Sequence, residues 1–270
     1  MTVISEFYVD ANMSGTAETF TLPDGYRYMG IWFGSALANH ITSMRASAAG
    51  GLAHVYGFNE NNFQGRYASL NMQDGHVSWW SLQGRDTDDN IESAIVVARY
   101  PKGEMVLDLG EQIRPEFVKQ FDAKAAGTPV RRNGEPRVFT LFWPGHAPGK
   151  IFVSVEQNLI VDPPDYPWDY AAQVRYDIDV YRTADGSIDA YVYNTYIWVE
   201  GGLITGQVMD ALKPKMVEGA ASLTEALRAK LADLPPVKVK DVYLLPGPKP
   251  TSAAGDTRDA RDGSSLVLVL

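Results

Sequence analysis

Shifted against itself by fifty positions, the first hundred residues of this chain overlay without a gap. Tyr8 falls on Phe58, Asn12 on Asn62 and Gly15 on Gly65; further along, Asp24-Gly25 falls on Asp74-Gly75 and Gly34 on Gly84. Asn39, Ile41 and Ser43 then fall on Asp89, Ile91 and Ser93. Matches kept in one register over such a length mark a tandem duplication. A unit of this size is too short to bury its own apolar face. The two copies are therefore expected to pack on each other as one domain over 1–100.

The local signals in each copy are those of strands. Residues 18–22 and 66–72 alternate, or nearly so, and an Asp-Gly turn follows each; 40–46 and 90–100 supply later strands. Several short strands separated by turns predict an N-terminal all-β Greek-key sandwich.

Two spacings recur within the repeat. Phe58, Phe63 and Gly65 give an aromatic, four residues, an aromatic, one residue and a glycine; Tyr8 and Gly15 repeat this with Met13 in the second aromatic place. The glycine suits a backbone with positive φ that other residues resist. The second spacing is two Asn or Asp, two variable residues, Ser or Thr, then Ser. It appears as Asp88-Asp89-Asn90-Ile91-Glu92-Ser93 and as Ala38-Asn39-His40-Ile41-Thr42-Ser43. Two signatures, each present twice and alternating along 1–100, resemble the βγ-crystallin family in its microbial, calcium-binding type. The resemblance implies Ca²⁺ sites built on the second signature, which suits an ion that takes about six to eight oxygen ligands. It would make Thr42 a side-chain ligand and His40 a carbonyl donor in one site, with Glu92 and Asn90 in the same roles in the other. Partner oxygens would come from the opposite hairpins, at Asp10, Asn59 and Glu60; Ser43, Asp89 and Ser93 complete the candidate positions. Ala38 and Glu92 depart from the pattern, standing where Asn or Asp and Ser or Thr are usual.

The remaining residues lie outside this resemblance. A boundary is expected near Pro101-Lys102-Gly103, followed by an α+β domain over 104–246. Residues 114–127 read as a helix, and 137–144, 150–162, 173–182 and 187–199 as strands, the last two flanking the turn Ala184-Asp185-Gly186. Residues 203–213 predict a second helix stopped by Pro214. A third, over 222–234, opens on a capping box from Ser222 to Glu225. The aromatic stripe Tyr191, Tyr193, Tyr196 and Trp198 is read as a packed sheet face ahead of a binding face. Residues 161–170 are read as a proline-stiffened loop ahead of a cation or sugar site on Asp162, Asp165 and Asp169 with Tyr166, Trp168 and Tyr170. A protein, carbohydrate or membrane partner of this domain stays open. Residues 247–270 are expected as a flexible tail, linker-like to 265, ending in a short apolar strand suited to pairing with a sheet edge of this chain or of a partner.

A net charge of −9 and a pI of 4.9 oppose nucleic acid as a partner. With no cysteine in the chain, a metal would be held by oxygen or imidazole. The N-terminus has neither the basic region nor the apolar run of a signal peptide, no transmembrane stretch is expected, and the compartment stays open. No phosphate-cradling glycine loop, HExxH or nucleophile elbow is present, so an enzyme in the C-terminal part has the least support. His146, in a Gly- and Pro-rich loop, reads as turn chemistry. The expected function is thus a non-catalytic, calcium-stabilised structural or stress-related module fused to an α+β interaction domain. The alternative is a toxin-like or membrane-active effector, because the family's β domains occur fused to pore-forming parts.

Overall fold

The computed structural model describes residues 1–72, 78–100, 102–143, 150–234, 238–249 and 258–270. The first repeat forms β1 (Thr2–Asp10), β2 (Ser14–Leu22), β3 (Tyr28–Trp32) and β4 (Ser43–Ala49); the second forms β5 (Leu52–Phe58), β6 (Arg66–Asn71), β7 (Ser78–Ser81) and β8 (Ser93–Arg99). The expected strand over 18–22 lies within β2, and those over 40–46, 66–72 and 90–100 overlap β4, β6 and β8, while Asp74-Gly75 lies outside the described residues. The strands assemble into two antiparallel sheets, ordered β2-β1-β4-β7 and β6-β5-β8-β3. Each sheet thus takes three strands from one repeat and its last from the other. The sheets face each other across a core that includes Val3, Phe7, Leu37 and Met44 from one side and Val55, Leu70, Ala94 and Val96 from the other.

The second sheet departs from simple alternation. Every residue of β5 and of β8 is buried, as a strand covered on both faces must be. Its second face is covered by the rest of the chain. Tyr28, Tyr56, Phe58, Tyr67, Ile95 and Val97 belong to the same core as residues well beyond position 104. The boundary expected near residue 101 is therefore crossed by continuous apolar packing.

That covering part begins with β9 (Glu104–Asp108) and α1 (Leu109–Ala125). The helix starts earlier than expected because Asp108 caps it, its carboxylate accepting the Glu111 amide at 3.2 Å. Next come β10 (Val130–Arg132), β11 (Arg137–Trp143), β12 (Lys150–Val161), β13 (Tyr170–Arg182) and β14 (Ile188–Val199), in an antiparallel sheet ordered β10-β12-β13-β14 with β11 also on β12. The long helix α2 (Thr205–Ala232) follows.

Here the expectation of two helices is corrected. Pro214 lies inside α2, and Ser222 caps nothing: its hydroxyl bonds back to the Glu218 carbonyl at 3.0 Å. An interior proline costs about 3 kcal/mol. Val208, Leu212, Met216, Leu223 and Leu227 nevertheless stay buried in one helical register across it, so packing on the sheet decides.

The chain closes with β15 (Asp241–Pro246), β16 (Arg258–Asp259), a 3₁₀ turn (Ala260–Asp262) and β17 (Ser264–Val269). The linker expected over 247–265 is corrected at its end: β16 pairs with β6, and the apolar β17 lies between β15 and β9. The terminal strand thus pairs within its own chain. Among the described residues no helix is long and apolar enough to cross a membrane.

Polar side chains stitch the halves together. Arg27 bonds Asp241 at 2.5 Å while its guanidinium lies 4.7 Å from the Tyr100 ring centre and 4.6 Å from that of Tyr243. The Tyr28 hydroxyl donates to the Leu244 carbonyl at 3.1 Å and accepts its amide at 2.8 Å. Arg99 bonds Asn71 and Glu104, and Glu104 also accepts from Tyr243. Beside Arg99 lies His54, fully buried, with Nδ1 3.0 Å from the Tyr56 hydroxyl and Nε2 without a partner among the described residues. Burial first, and the Arg99 charge second, hold its pKa well below the ordinary value. Unfolded, the imidazole takes a proton near about pH 6.5; folded, it does not. Stability is accordingly expected to fall as pH drops below about 6.5, by up to about 1.4 kcal/mol per unit. Urea unfolding between pH 5 and 7 checks this, with His54→Gln flattening the slope; imidazole NMR showing a protonated His54 ring at pH 5.5 in the folded chain would contradict it.

Candidate metal centre

Two folded hairpins, residues 8–15 and 58–65, are held in the same way. Met13 and Phe63 both take positive φ, 60° and 63°, as do Gly15 and Gly65 at 74° and 77°. A bulky residue rarely adopts this conformation, so something must hold it. The Ser43 hydroxyl donates to the Asp10 carbonyl at 2.7 Å and accepts the Met13 amide at 3.0 Å. Ser93 does the same for Glu60 at 2.6 Å and Phe63 at 3.2 Å. Phe63 is further fixed by rings: its centre lies 4.7 Å from that of Trp32 and 4.8 Å from that of Phe142. Over the glycines fold the side chains of Asp10 and of Asn59 and Glu60, close enough that a Cβ on Gly15 would sit 2.3 Å from Asp10 Oδ2 and one on Gly65 2.3 Å from Asn59 Oδ1.

The second signature occupies two loops that face each other across the repeat. The Asn39 amide donates to the Ile91 carbonyl at 2.9 Å, and the Asp89 amide to the Ile41 carbonyl at 3.2 Å. Both residues stand at positive φ, 60° and 50°, the region that Asn and Asp tolerate best among side-chain-bearing residues. Side chains repeat the exchange. The Thr42 hydroxyl donates to Asp89 Oδ1 at 2.8 Å, and Asn39 Nδ2 donates to Glu92 Oε1 at 3.2 Å.

Each loop lies against the hairpin of its own repeat, since the Thr42 amide donates to Tyr8 and the Glu92 amide to Phe58. Across the repeat, the side-chain hydrogen-bond partners are Asp89 for Thr42 and Asn39 for Glu92. Asn39 was not among the candidates, although the shift of fifty that sets it on Asp89 contained the signal.

The two loops differ in electrostatics. Around the second, Arg261 holds both oxygens of Glu60, at 2.7 and 2.9 Å. No cationic side chain forms an ion pair with Asp89, Asp88 or Asp10 among the described residues. Asp88 Oδ1 and Asn59 Oδ1 are buried acceptors without partners. His40 is exposed and Asn90 half-buried, while Thr42, Ser43 and Ser93 are buried. The hydroxyls of Ser43 and Ser93 already serve the hairpins.

Elsewhere the aromatic stripe differs from its expectation. Tyr193, Tyr196 and Trp198 of β14 are 46%, 45% and 46% exposed on the sheet face away from the helices. Tyr193 stacks on Phe152, the Arg175 guanidinium lies 5.2 Å from the Tyr196 ring centre, and the buried carboxylates of Asp177 and Asp179 pair with Arg175 and Lys150. In the loop 161–170, Trp168 is exposed and Asp169 pairs with Arg131 at 2.9 Å. His146 lies outside the described residues. Comparison with family models, curated proteins and solved structures finds no match.

Replacing Ser93 by Ala strands a buried carbonyl and the Phe63 amide together. A loss of about 1–3 kcal/mol is expected in urea unfolding. A change below about 0.5 kcal/mol would show that ring packing alone holds the hairpin.

Proposed function

We propose that residues 1–100 form a calcium-binding, βγ-crystallin-like module and that the protein is non-catalytic, its folded state stabilised by the ion. What supports the family reading is the exchange of one strand between two repeat-built sheets, joined to hairpins held alike at Ser43 and Ser93. The observation that carries the calcium reading is the meeting of Thr42 Oγ1 and Asp89 Oδ1, oxygens from opposite repeats, 2.8 Å apart. Neighbouring oxygens in a Ca²⁺ shell crowd to such distances, with each about 2.3–2.6 Å from the ion. The chemistry of the donors suits a hard cation: a hydroxyl and a carboxylate, with the His40 carbonyl as the resemblance implies. No group of three acidic or imidazole side chains gathers among the described residues, so hydroxyl, carbonyl and water oxygens would complete the shell.

At the second loop the Arg261 guanidinium already neutralises Glu60, so the reading assigns the stronger site to Thr42 and Asp89. The fused C-terminal part acts in this reading as a scaffold and interaction unit, because its packing completes the core of the module.

An ion that binds only the folded chain raises its stability by mass action, about 2.7 kcal/mol at a hundred times Kd. Calorimetric titration is expected to give one dominant Ca²⁺ equivalent, together with a calcium-dependent rise in Tm. Asp89→Ala and Thr42→Val should each weaken it at least ten-fold, while Arg261→Ala should strengthen a second, weaker site. No heat and no shift in Tm at millimolar calcium would remove the calcium reading and leave a structural βγ-like scaffold.

A further inference from the structure

A cavity of about 270 Å³ lies between α1, α2 and the sheet. Its walls are apolar: Phe117 and Phe121 from α1, Leu159 and Val174 from the sheet, Val208 and Met216 from α2. Lys124 and Lys215 also line it, and no Asp or Glu does among the described residues. Lys215 has an exposed i,i+3 pair with Glu218 at 3.2 Å, of the kind that contributes little. No ion pair holds Lys124 among the described residues.

One polar group lies deeper. The Tyr176 side chain lines the cavity and is only 5% exposed, yet its hydroxyl has no hydrogen-bond partner among the described residues. The hydroxyl faces the cavity with no protein acceptor, so it is free to donate to a ligand oxygen placed there. Burial alone pushes this phenol up to about 12, so it stays a donor at any physiological pH.

We propose that this cavity binds a medium-chain carboxylate, its alkyl chain between the helices, its head group drawn to Lys124 and Lys215, and a ligand oxygen accepting from Tyr176. An apolar cleft with few convergent polar groups is the usual form of a small-molecule site. At about 270 Å³ the cleft lies near the small end of small-molecule sites, which suits a medium-length alkyl chain rather than a bulky ligand. Two lysines line the cavity and no acid does among the described residues, Glu218 meeting Lys215 only in an exposed pair, and this balance favours an anionic head over a cationic one. The site is separate from the calcium loops and independent of their occupancy.

The test uses the full chain with decanoate as the probe, followed by titration calorimetry and thermal unfolding. One saturable equivalent is expected in the micromolar range. Decyltrimethylammonium, with the same tail and the opposite charge, should bind at least ten-fold more weakly. The double variant Lys124→Gln, Lys215→Gln, which removes both charges from the cavity lining, should lose at least ten-fold in decanoate affinity while circular dichroism shows it folded. Tyr176→Phe should bind several-fold more weakly with no loss of stability, since the hydroxyl it removes bonds nothing in the protein. Absence of saturable decanoate binding below the millimolar range would overturn the proposal. So would equal affinity in the double lysine variant, or equal binding of the cationic amphiphile.

Discussion

Burial of one sheet on both faces organises this molecule. The strands β6, β5, β8 and β3 lie between the first sheet and the C-terminal part, with β5 and β8 buried throughout. Such a position favours continuous apolar strands over alternating ones, because neither face meets water. Phe58 and Phe63 of the second hairpin therefore do more than close a turn: they meet Tyr67 and Phe142 and carry the core into the C-terminal part. In the first hairpin Met13 stands in the place of the aromatic and belongs to neither apolar core among the described residues.

The cost of this arrangement falls on polar groups caught at the junction. Arg27, Arg99, Glu104, Asp241, His54 and Tyr243 sit where water is largely excluded, and most are held by partners from the other half of the chain. His54 is the exception, neutral and with one nitrogen unpartnered. Removing one member of such a network leaves the others desolvated, which makes the junction sensitive although its surface ion pairs are ordinary. The terminal strand closes the same junction: β17 lies between β9 and β15, and the 3₁₀ turn before it brings Arg261 to Glu60.

Duplication followed by divergence explains the asymmetry of the two loops. Both keep the reciprocal amide-to-carbonyl pairs and the serine that holds the hairpin, because these define the backbone. They differ at residues that touch one another only across the repeat, Thr42 with Asp89 and Asn39 with Glu92. They differ in charge as well: Arg261 pairs with Glu60 of the second hairpin, whereas Asp10 of the first has no ion pair among the described residues.

The amino-acid sequence by itself determined the repeat, the strands within it and the two glycines, since each rests on local chemistry: a turn, a positive φ, an alternation. It also marked α1 beyond its first turn, the two ends of α2 and most strands of the C-terminal sheet, where apolar spacing is regular. Tertiary structure decided the rest. Pro214 reads as a stop until Val208, Leu212 and Met216 are seen buried on one face. Residues 258–263 read as linker because they are polar and short of periodicity; pairing of Arg258 and Asp259 with β6 and the bond from Arg261 to Glu60 order them. The partners of Thr42 and Glu92 lie 47 and 53 residues away, and only the facing of two loops brings them together. The cavity between α1, α2 and the sheet belongs to no single segment. Local propensity is written in neighbouring residues, whereas a site is a distance between segments that nothing in either segment encodes alone.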